Sequence, residues 1–420
     1  MSTTLGRAAV GHHSDRRDHP LAQIMADRAV STLFQPVVEL SDGNVVGYEA
    51  LSRGPAGPLH SPDALFAAAR RAGSSRELDV LCRDLAVAAA RTGGLRPPYR
   101  LFLNAEPGAM LQFTPPEVAS EVPVVLELTE RELAARPGRL LEAVALARSL
   151  GWSIALDDMG AHPDSLALLS LLRPEVIKLD LRLIQRRPDR DCAELMTAVR
   201  AQAERTGAVI VAEGVETDEH LELALGMGAT LGQGWMFGRP EPLPAPVPTA
   251  GGMGVHLPAS DPWPALASLF PFLADSRMLR PGTKDFLLQV SKYLEDRAAA
   301  AGPSTIVLST FQDAVHLTPS VIRRYEQLAT SCALVAVVGR GMPSHPIPGV
   351  FGGSVPAAHP LADEWHVVVL SPDYAAALLA REHGHHADGR PMMHYVLTHD
   401  RELVCTAART LVAYVDPGGG

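Results

Sequence analysis

In the first 245 residues, short apolar runs alternate with Ala/Leu/Arg stretches of helical spacing, and almost every run ends on a polar side chain. The runs fall at 33–40, 45–51, 100–104, 122–128, 153–157, 176–179, 208–212 and 229–236, and the helical stretches at 62–72, 76–91, 139–150, 165–172, 189–206 and 218–227. Near-continuous apolar runs belong to strands covered on both faces. About eight of them with intervening helices, in roughly 225 residues, predict a β/α barrel. Ser41-Asp42-Gly43-Asn44, between the first two runs, reads as a hairpin turn. The first strand is therefore expected to run antiparallel, giving a modified, TIM-like barrel.

The run ends carry the chemistry. They supply Glu49, Asn104, Glu127, the pair Asp157 and Asp158, Lys178 with Asp180 two residues on, Glu213, and Gln233. In a β/α barrel the C-terminal ends of the strands converge on one mouth. A single strand-end carboxylate is explained equally well by a helix cap, but seven strand ends of one character are not. Carboxylates crowded together cannot all ionise without repulsion, so cations must compensate. Oxygen donors without His or Cys select hard ions, Mg²⁺ or Mn²⁺. So many carboxylates suit a pair of ions, with Asp157 or Asp158 as the bridge, and such pairs serve in-line phosphoryl displacement. The reaction class expected is phosphodiester hydrolysis.

Composition narrows the setting. A net charge of −10 argues against nucleic acid as a partner. No apolar run reaches the roughly 18 residues needed to span a bilayer, and the N-terminus lacks a signal-peptide core, so a cytoplasmic protein without membrane contact is expected. The four cysteines form no CxxC pair and read as reduced core thiols. Only three of the 37 basic residues are lysines, Lys178, Lys284 and Lys292, and a lysine in so Arg-rich a chain calls for a reason. The Pro- and Gly-rich stretch 242–254 cannot pack a core. The expected organisation is a disordered tail at 1–19, a barrel domain at 20–245, a linker at 246–261 and a smaller α/β domain at 262–416.

Tyr48-Glu49-Ala50-Leu51-Ser52-Arg53-Gly54 resembles the signature of the EAL family of cyclic di-GMP phosphodiesterases. The likeness continues in order through Phe34-Gln35-Pro36, Leu-Phe-Leu-Asn104, Glu127-Leu-Thr-Glu130, Ala-Leu-Asp157-Asp158, Ile-Lys178-Leu-Asp180, Ala-Glu213-Gly-Val-Glu216-Thr and Gln233-Gly-Trp-Met-Phe-Gly-Arg-Pro. The resemblance implies hydrolysis of cyclic di-GMP to linear pGpG. It implies Glu49, Asn104, Glu127 and Asp157 as ligands of one metal, and Asp157, Asp158 and Glu213 as ligands of a second. Glu49, Lys178 and Glu213 would be catalytic, with Lys178 polarising the attacking water. Gln35, Arg53, Asp180 and Gln233 would hold substrate, and Glu130 and Glu216 would anchor a loop. A homodimer is also implied.

One loop departs from the family pattern. After the aspartate pair, Met159-Gly160-Ala161-His162-Pro163-Asp164-Ser165-Leu166 lacks the usual aromatic residue and second Gly and gains a Pro. The expectation is that metal binding persists while turnover and its control are altered. The alternative is a receptor that binds cyclic di-GMP and signals to a partner without cutting it. His162 reads as an exposed loop residue.

The second half, read as helices at 285–300, 319–330, 374–381 and 401–412 with strands at 305–308, 334–338 and 366–370, carries no catalytic constellation. Phe311-Gln312-Asp313, Arg323-Arg324-Tyr325 and Asp363-Glu364-Trp365 resemble the DICT sensory domain, which implies control by a small-molecule or protein signal. His383, His385 and His386, with His394 and His399 nearby, read as a surface loop and, failing that, as a metal or pH sensor.

Overall fold

The computed structural model describes residues 20–106, 122–128, 136–162, 165–244, 247, 254–259, 266–270, 278–385 and 391–415. The 1–19 and 416–420 tails, much of the expected linker, Glu130, Pro163, Asp164 and His386 lie outside them.

The first half is a closed barrel of eight strands: β1 (Ser31–Glu39), β2 (Val45–Arg53), β3 (Arg100–Asn104), β4 (Val124–Leu128), β5 (Ser153–Met159), β6 (Val176–Leu179), β7 (Val209–Ala212) and β8 (Leu231–Gly232). Its helices among the described residues are α1 (Pro20–Ala26), α2 (Pro62–Ala72), α3 (Ser75–Thr92), α4 (Pro137–Ser149), α5 (Leu166–Leu172), α6 (Leu181–Gln185), α7 (Arg190–Thr206) and α8 (Asp218–Gly226). β1 is antiparallel to both neighbours, and every other barrel pairing is parallel. The hairpin that reverses β1 turns through Gly43 at φ 73°, where a side chain would be strained.

One apolar residue from each strand (Val37, Val46, Phe102, Val125, Ala155, Val176, Val211 and Leu231) packs inside the barrel. Leu257 joins this cluster, with Val255 packed against it, and the Val255 carbonyl accepts from Arg100 Nη2 at 3.2 Å. Part of the stretch expected to be linker thus lies against the barrel.

The second half is a seven-stranded sheet in the order β12-β11-β10-β13-β14-β15-β9. The strands are β9 (Arg280–Thr283), β10 (Ile306–Asp313), β11 (Leu334–Arg340), β12 (Phe351–Ser354), β13 (Glu364–Leu370), β14 (Ala375–His385) and β15 (Pro391–Thr398). Helices α9 (Lys284–Ala301), α10 (Pro319–Ser331) and α11 (Arg401–Val412) accompany it. Strand alternation divides the sheet's side chains. Val307, Val337, Val367 and Val369 pack with α9 and α10, while Leu308, Val338, Val368 and Leu370 pack with α11 in the cluster that also holds the barrel's outer core. The helix expected at 374–381 is instead strand β14. The Ala/Leu-rich run has high helix propensity, but hydrogen bonding to β13 on one side and β15 on the other overrides it.

Candidate active site

The apolar residues inside the barrel explain where the polar ones go. Side chains two apart on a strand share a face. Asn104 lies two beyond Phe102, Glu127 two beyond Val125, Asp157 two beyond Ala155, Lys178 two beyond Val176, Glu213 two beyond Val211 and Gln233 two beyond Leu231. On antiparallel β1 the same step runs backwards, from Val37 to Gln35. The pleat thus stacks a polar layer on an apolar one at the C-terminal mouth.

Lys178 stands at the centre, fully buried. Its Nζ lies 2.7 Å from Glu127 Oε1, 2.7 Å from Glu213 Oε1, 3.1 Å from Asp157 Oδ1 and 3.5 Å from Glu49 Oε2. Burial alone would lower its pKa, yet the carboxylates of Asp157, Glu127, Glu213 and Glu49 hold it well above the ordinary lysine value. Glu49 is clamped from two sides: Gln233 Nε2 donates to its Oε2 at 2.6 Å and Asn104 Nδ2 to its Oε1 at 3.1 Å. Burial would raise Glu49, but the Lys178 charge and these two donors hold it below its ordinary value. Gln233 Nε2 also donates to Gln35 Oε1 at 3.2 Å.

Asp157 and Asp158 are adjacent, so a regular strand would turn them to opposite faces. A register shift between Leu156 and Met159 breaks the pairing of β5 with β6 at this point. Asp158 adopts φ 55°, in the left-handed region. Bulges and left-handed non-glycine residues concentrate where a side chain must be re-aimed. Here Asp157, Asp158 and Glu213 each place a carboxylate oxygen within 4.8 Å of the others. The sequence marks all three residues but carries no signal for the bulge that joins them.

One ammonium does not neutralise this many carboxylates. Burial, with the charges of Glu49 and Asp157, pushes Glu127 well above its ordinary value despite Lys178, and burial, with Asp157 and Glu49, pushes Glu213 up to about 8. An all-oxygen donor set starved of positive charge fits hard divalent cations.

The other expected site residues have their hydrogen bonds elsewhere. Arg53 Nη1 donates to the Ser52 carbonyl at 2.9 Å. Asp180 caps α6, accepting from Arg182 N and Nε at 2.8 Å each. Glu216 is exposed. His383 stacks on His394 with ring centroids 4.0 Å apart, while His399 binds the Ala375 carbonyl. Among the described residues the Asp157, Asp158 and Glu213 group alone has the spacing of a metal cluster.

Residues 20–240 match the EAL domain. The chain belongs to the EAL-domain family. A second stretch, residues 270–383, matches the sensory domain in diguanylate cyclases and two-component systems, DICT. Relatives of this EAL-domain protein include the cyclic di-GMP phosphodiesterase RocR of Pseudomonas aeruginosa, 36% identical over 121 residues that cover 28% of this chain and 31% of RocR. NbdA of the same organism, also a cyclic di-GMP phosphodiesterase, is 31% identical over 243 residues, 54% of this chain and 31% of its own. Among solved structures, the manganese/cyclic di-GMP complex of BlrP1 from Klebsiella pneumoniae aligns at 28% identity and TM-score 0.45, covering 50% of this chain and 56% of that one. The chain spans less than half the length of the curated relatives it matches.

Proposed function

We propose that the barrel hydrolyses cyclic di-GMP to linear pGpG, as the named activity of RocR and NbdA suggests. The observation that carries this reading is the buried Lys178 ammonium among four carboxylates, beside the three mutually close oxygens of Asp157, Asp158 and Glu213. Glu49, Asn104, Glu127 and Asp157 would hold one Mg²⁺ or Mn²⁺, and Asp157, Asp158 and Glu213 another. Such ions supply positive charge that acidifies water and offsets charge building on the phosphate. The chain's own groups do the positioning. Gln233 and Asn104 fix the Glu49 carboxylate, and Gln35 steadies Gln233. Lys178 holds a proton at Nζ and stabilises the negative charge that gathers at the mouth. Arg53 would swing from the Ser52 carbonyl to a substrate phosphate, where its fork fits two oxygens. The test is cleavage of cyclic di-GMP by the full chain with Mg²⁺ or Mn²⁺. No turnover with either ion in a folded sample overturns the reading, and tight binding without cleavage favours a receptor.

Control of the barrel by residues 262–416 is part of the same proposal. Two observations support it. Arg409 of α11 donates to the carbonyls of Leu171 (2.7 Å) and Ser170 (3.2 Å) on α5, and Arg401 donates to Ser170 Oγ at 2.9 Å. The last carbonyls of a helix lack partners within it, so these cations fasten one half to the other. In addition, a cavity of about 590 Å³ is lined by Gly160 to His162 on the barrel side and by Ala301, Ser304 and Ser371 on the other. The loop after Asp158, where the sequence departs from its family, thus faces the second domain. A homodimer, carried over from the resemblance, is checked by sedimentation of the full chain.

A further inference from the structure

The only lysines besides Lys178 are Lys284 and Lys292, and both line one cavity of about 1050 Å³ in the second domain. The cavity lies between α9 and the sheet. Lys284, Leu288, Ser291, Lys292 and Glu295 recur at helical spacing and put one face of α9 along it. Across from them, Phe311, Trp365, Val367 and Met393 supply an apolar and aromatic wall.

The charges do not cancel. Glu295 is engaged by Arg324 and by Tyr325 Oη at 2.9 Å, Glu364 by His366 at 2.8 Å and by Ser268, and Glu382 by His385 at 3.3 Å. Arg340 is taken up by the Gln312 carbonyl at 3.0 Å, and Arg381 lies 4.7 Å over the Phe270 ring. Among the described residues, Lys284 and Lys292 have no ion pair, and Asp363 is the one lining carboxylate left to face them. Ser291, 5% exposed, lines the same cavity, and its Oγ has no hydrogen-bond partner among the described residues. A buried hydroxyl left unpaired costs stability unless something in the cavity pairs with it.

We infer that this cavity binds a small organic anion, with a carboxylate or phosphate head on Lys284 and Lys292, a ring or apolar body on Trp365, Phe311 and Met393, and a polar group at Ser291. Pockets of this size, apolar with a few convergent polar groups, hold molecules of that kind. Strands β13, β14 and β10 form its floor, and their opposite faces carry α11, the helix docked on the barrel.

The probe is 8-anilinonaphthalene-1-sulfonate, an aromatic anion, titrated into the full chain, with neutral N-phenyl-1-naphthylamine as its uncharged counterpart. Saturable binding of one anion per chain is expected. The exposed pair Lys284→Ala and Lys292→Ala should weaken the anion by roughly tenfold or more and leave the neutral probe unchanged. Ser291→Leu, which fills the cavity from the α9 side, should weaken both. Benzoate and phenyl phosphate, added as competitors, report whether the head is a carboxylate or a phosphate. Equal anion affinity in the lysine double variant overturns the inference, as does displacement by neither competitor. None of these readouts depends on cyclic di-GMP cleavage.

Discussion

Replacing Lys178 with methionine removes the one cation that four carboxylates share. It breaks ion pairs at 2.7, 2.7, 3.1 and 3.5 Å, all in a buried setting. Breaking a buried ion pair by deleting one partner costs about 3–5 kcal/mol, because the remaining charge is stranded. In a domain of this size that corresponds to a Tm lower by roughly 10 °C. Proton uptake limits the damage. Glu127 and Glu213 already have raised pKa values, Glu213 near 8, so at pH 6 Glu213 holds a proton and the deficit shrinks, while at pH 8.5 the deficit is larger. The assay is thermal unfolding of wild type and Lys178→Met in EDTA at both pH values, then with Mn²⁺. The variant should be the less stable at pH 8.5 and should gain more from Mn²⁺ than wild type does. Equal stability of the two proteins in EDTA at pH 8.5 would refute the view that Lys178 stands in for missing cationic charge. With Mn²⁺ present, cleavage should still fall by about 10²-fold or more if the ammonium also acts on the reacting groups.

Four further outcomes are expected. Asp157→Asn should reduce the Mn²⁺-induced rise in Tm and lower cleavage of cyclic di-GMP by about 10²-fold or more; an unchanged metal response would separate Asp157 from the ion site. Metal-free wild type should be more stable at pH 6 than at pH 8.5. Glu213 has a folded pKa near 8 against about 4.5 unfolded, so the folded state holds the proton more tightly and stability is gained as pH falls through that window; a Tm in EDTA that falls between pH 8.5 and pH 6 would contradict this. Arg409→Met leaves the Ser170 and Leu171 carbonyls without their charged donor. It should cost about 3 kcal/mol by chemical denaturation and change the cleavage rate if the halves are coupled. Gly138→Ala places a Cβ 2.1 Å from the Val415 carbonyl, where α4 meets the end of α11, and should lower the Tm; an unshifted Tm would show that the contact yields freely.

The barrel is legible in the sequence because its signals are local. Apolar runs, polar run ends and the Asp42-Gly43 turn each act within a few positions, and the structure places strands at every one. The second sheet is harder to read because its decisive interactions are not local. Ala375 to Ala380 has helical composition, yet it lies between two antiparallel neighbours that sequence order does not reveal. β9 and β15 escape a sequence reading for a related reason. Arg280-Pro-Gly-Thr has no strand character of its own and is a strand only through its pairing with β15.

The site divides the same way. Its residue types are visible one at a time, but their arrangement depends on backbone events with no composition to mark them. The inward position of Asn104, Glu127, Asp157, Lys178, Glu213 and Gln233 follows from period two once the apolar residue below each is known. Glu49 stands three beyond Val46, but the β1–β2 register shifts between Val37 and Val38, skips Val46 and sets Glu49 opposite inward-facing Gln35, where Gln233 and Asn104 then bind it. Asp158 departs from period two by a bulge and a left-handed backbone. Both exceptions sit at register shifts, and each brings a carboxylate where an unbroken pleat would not. Asp158 also begins the loop that faces the second domain across the 590 Å³ cavity. Asp158 thus has two structural consequences at once: its left-handed backbone places a carboxylate at the mouth and sends the following residues, Gly160 to His162, to the wall of that cavity.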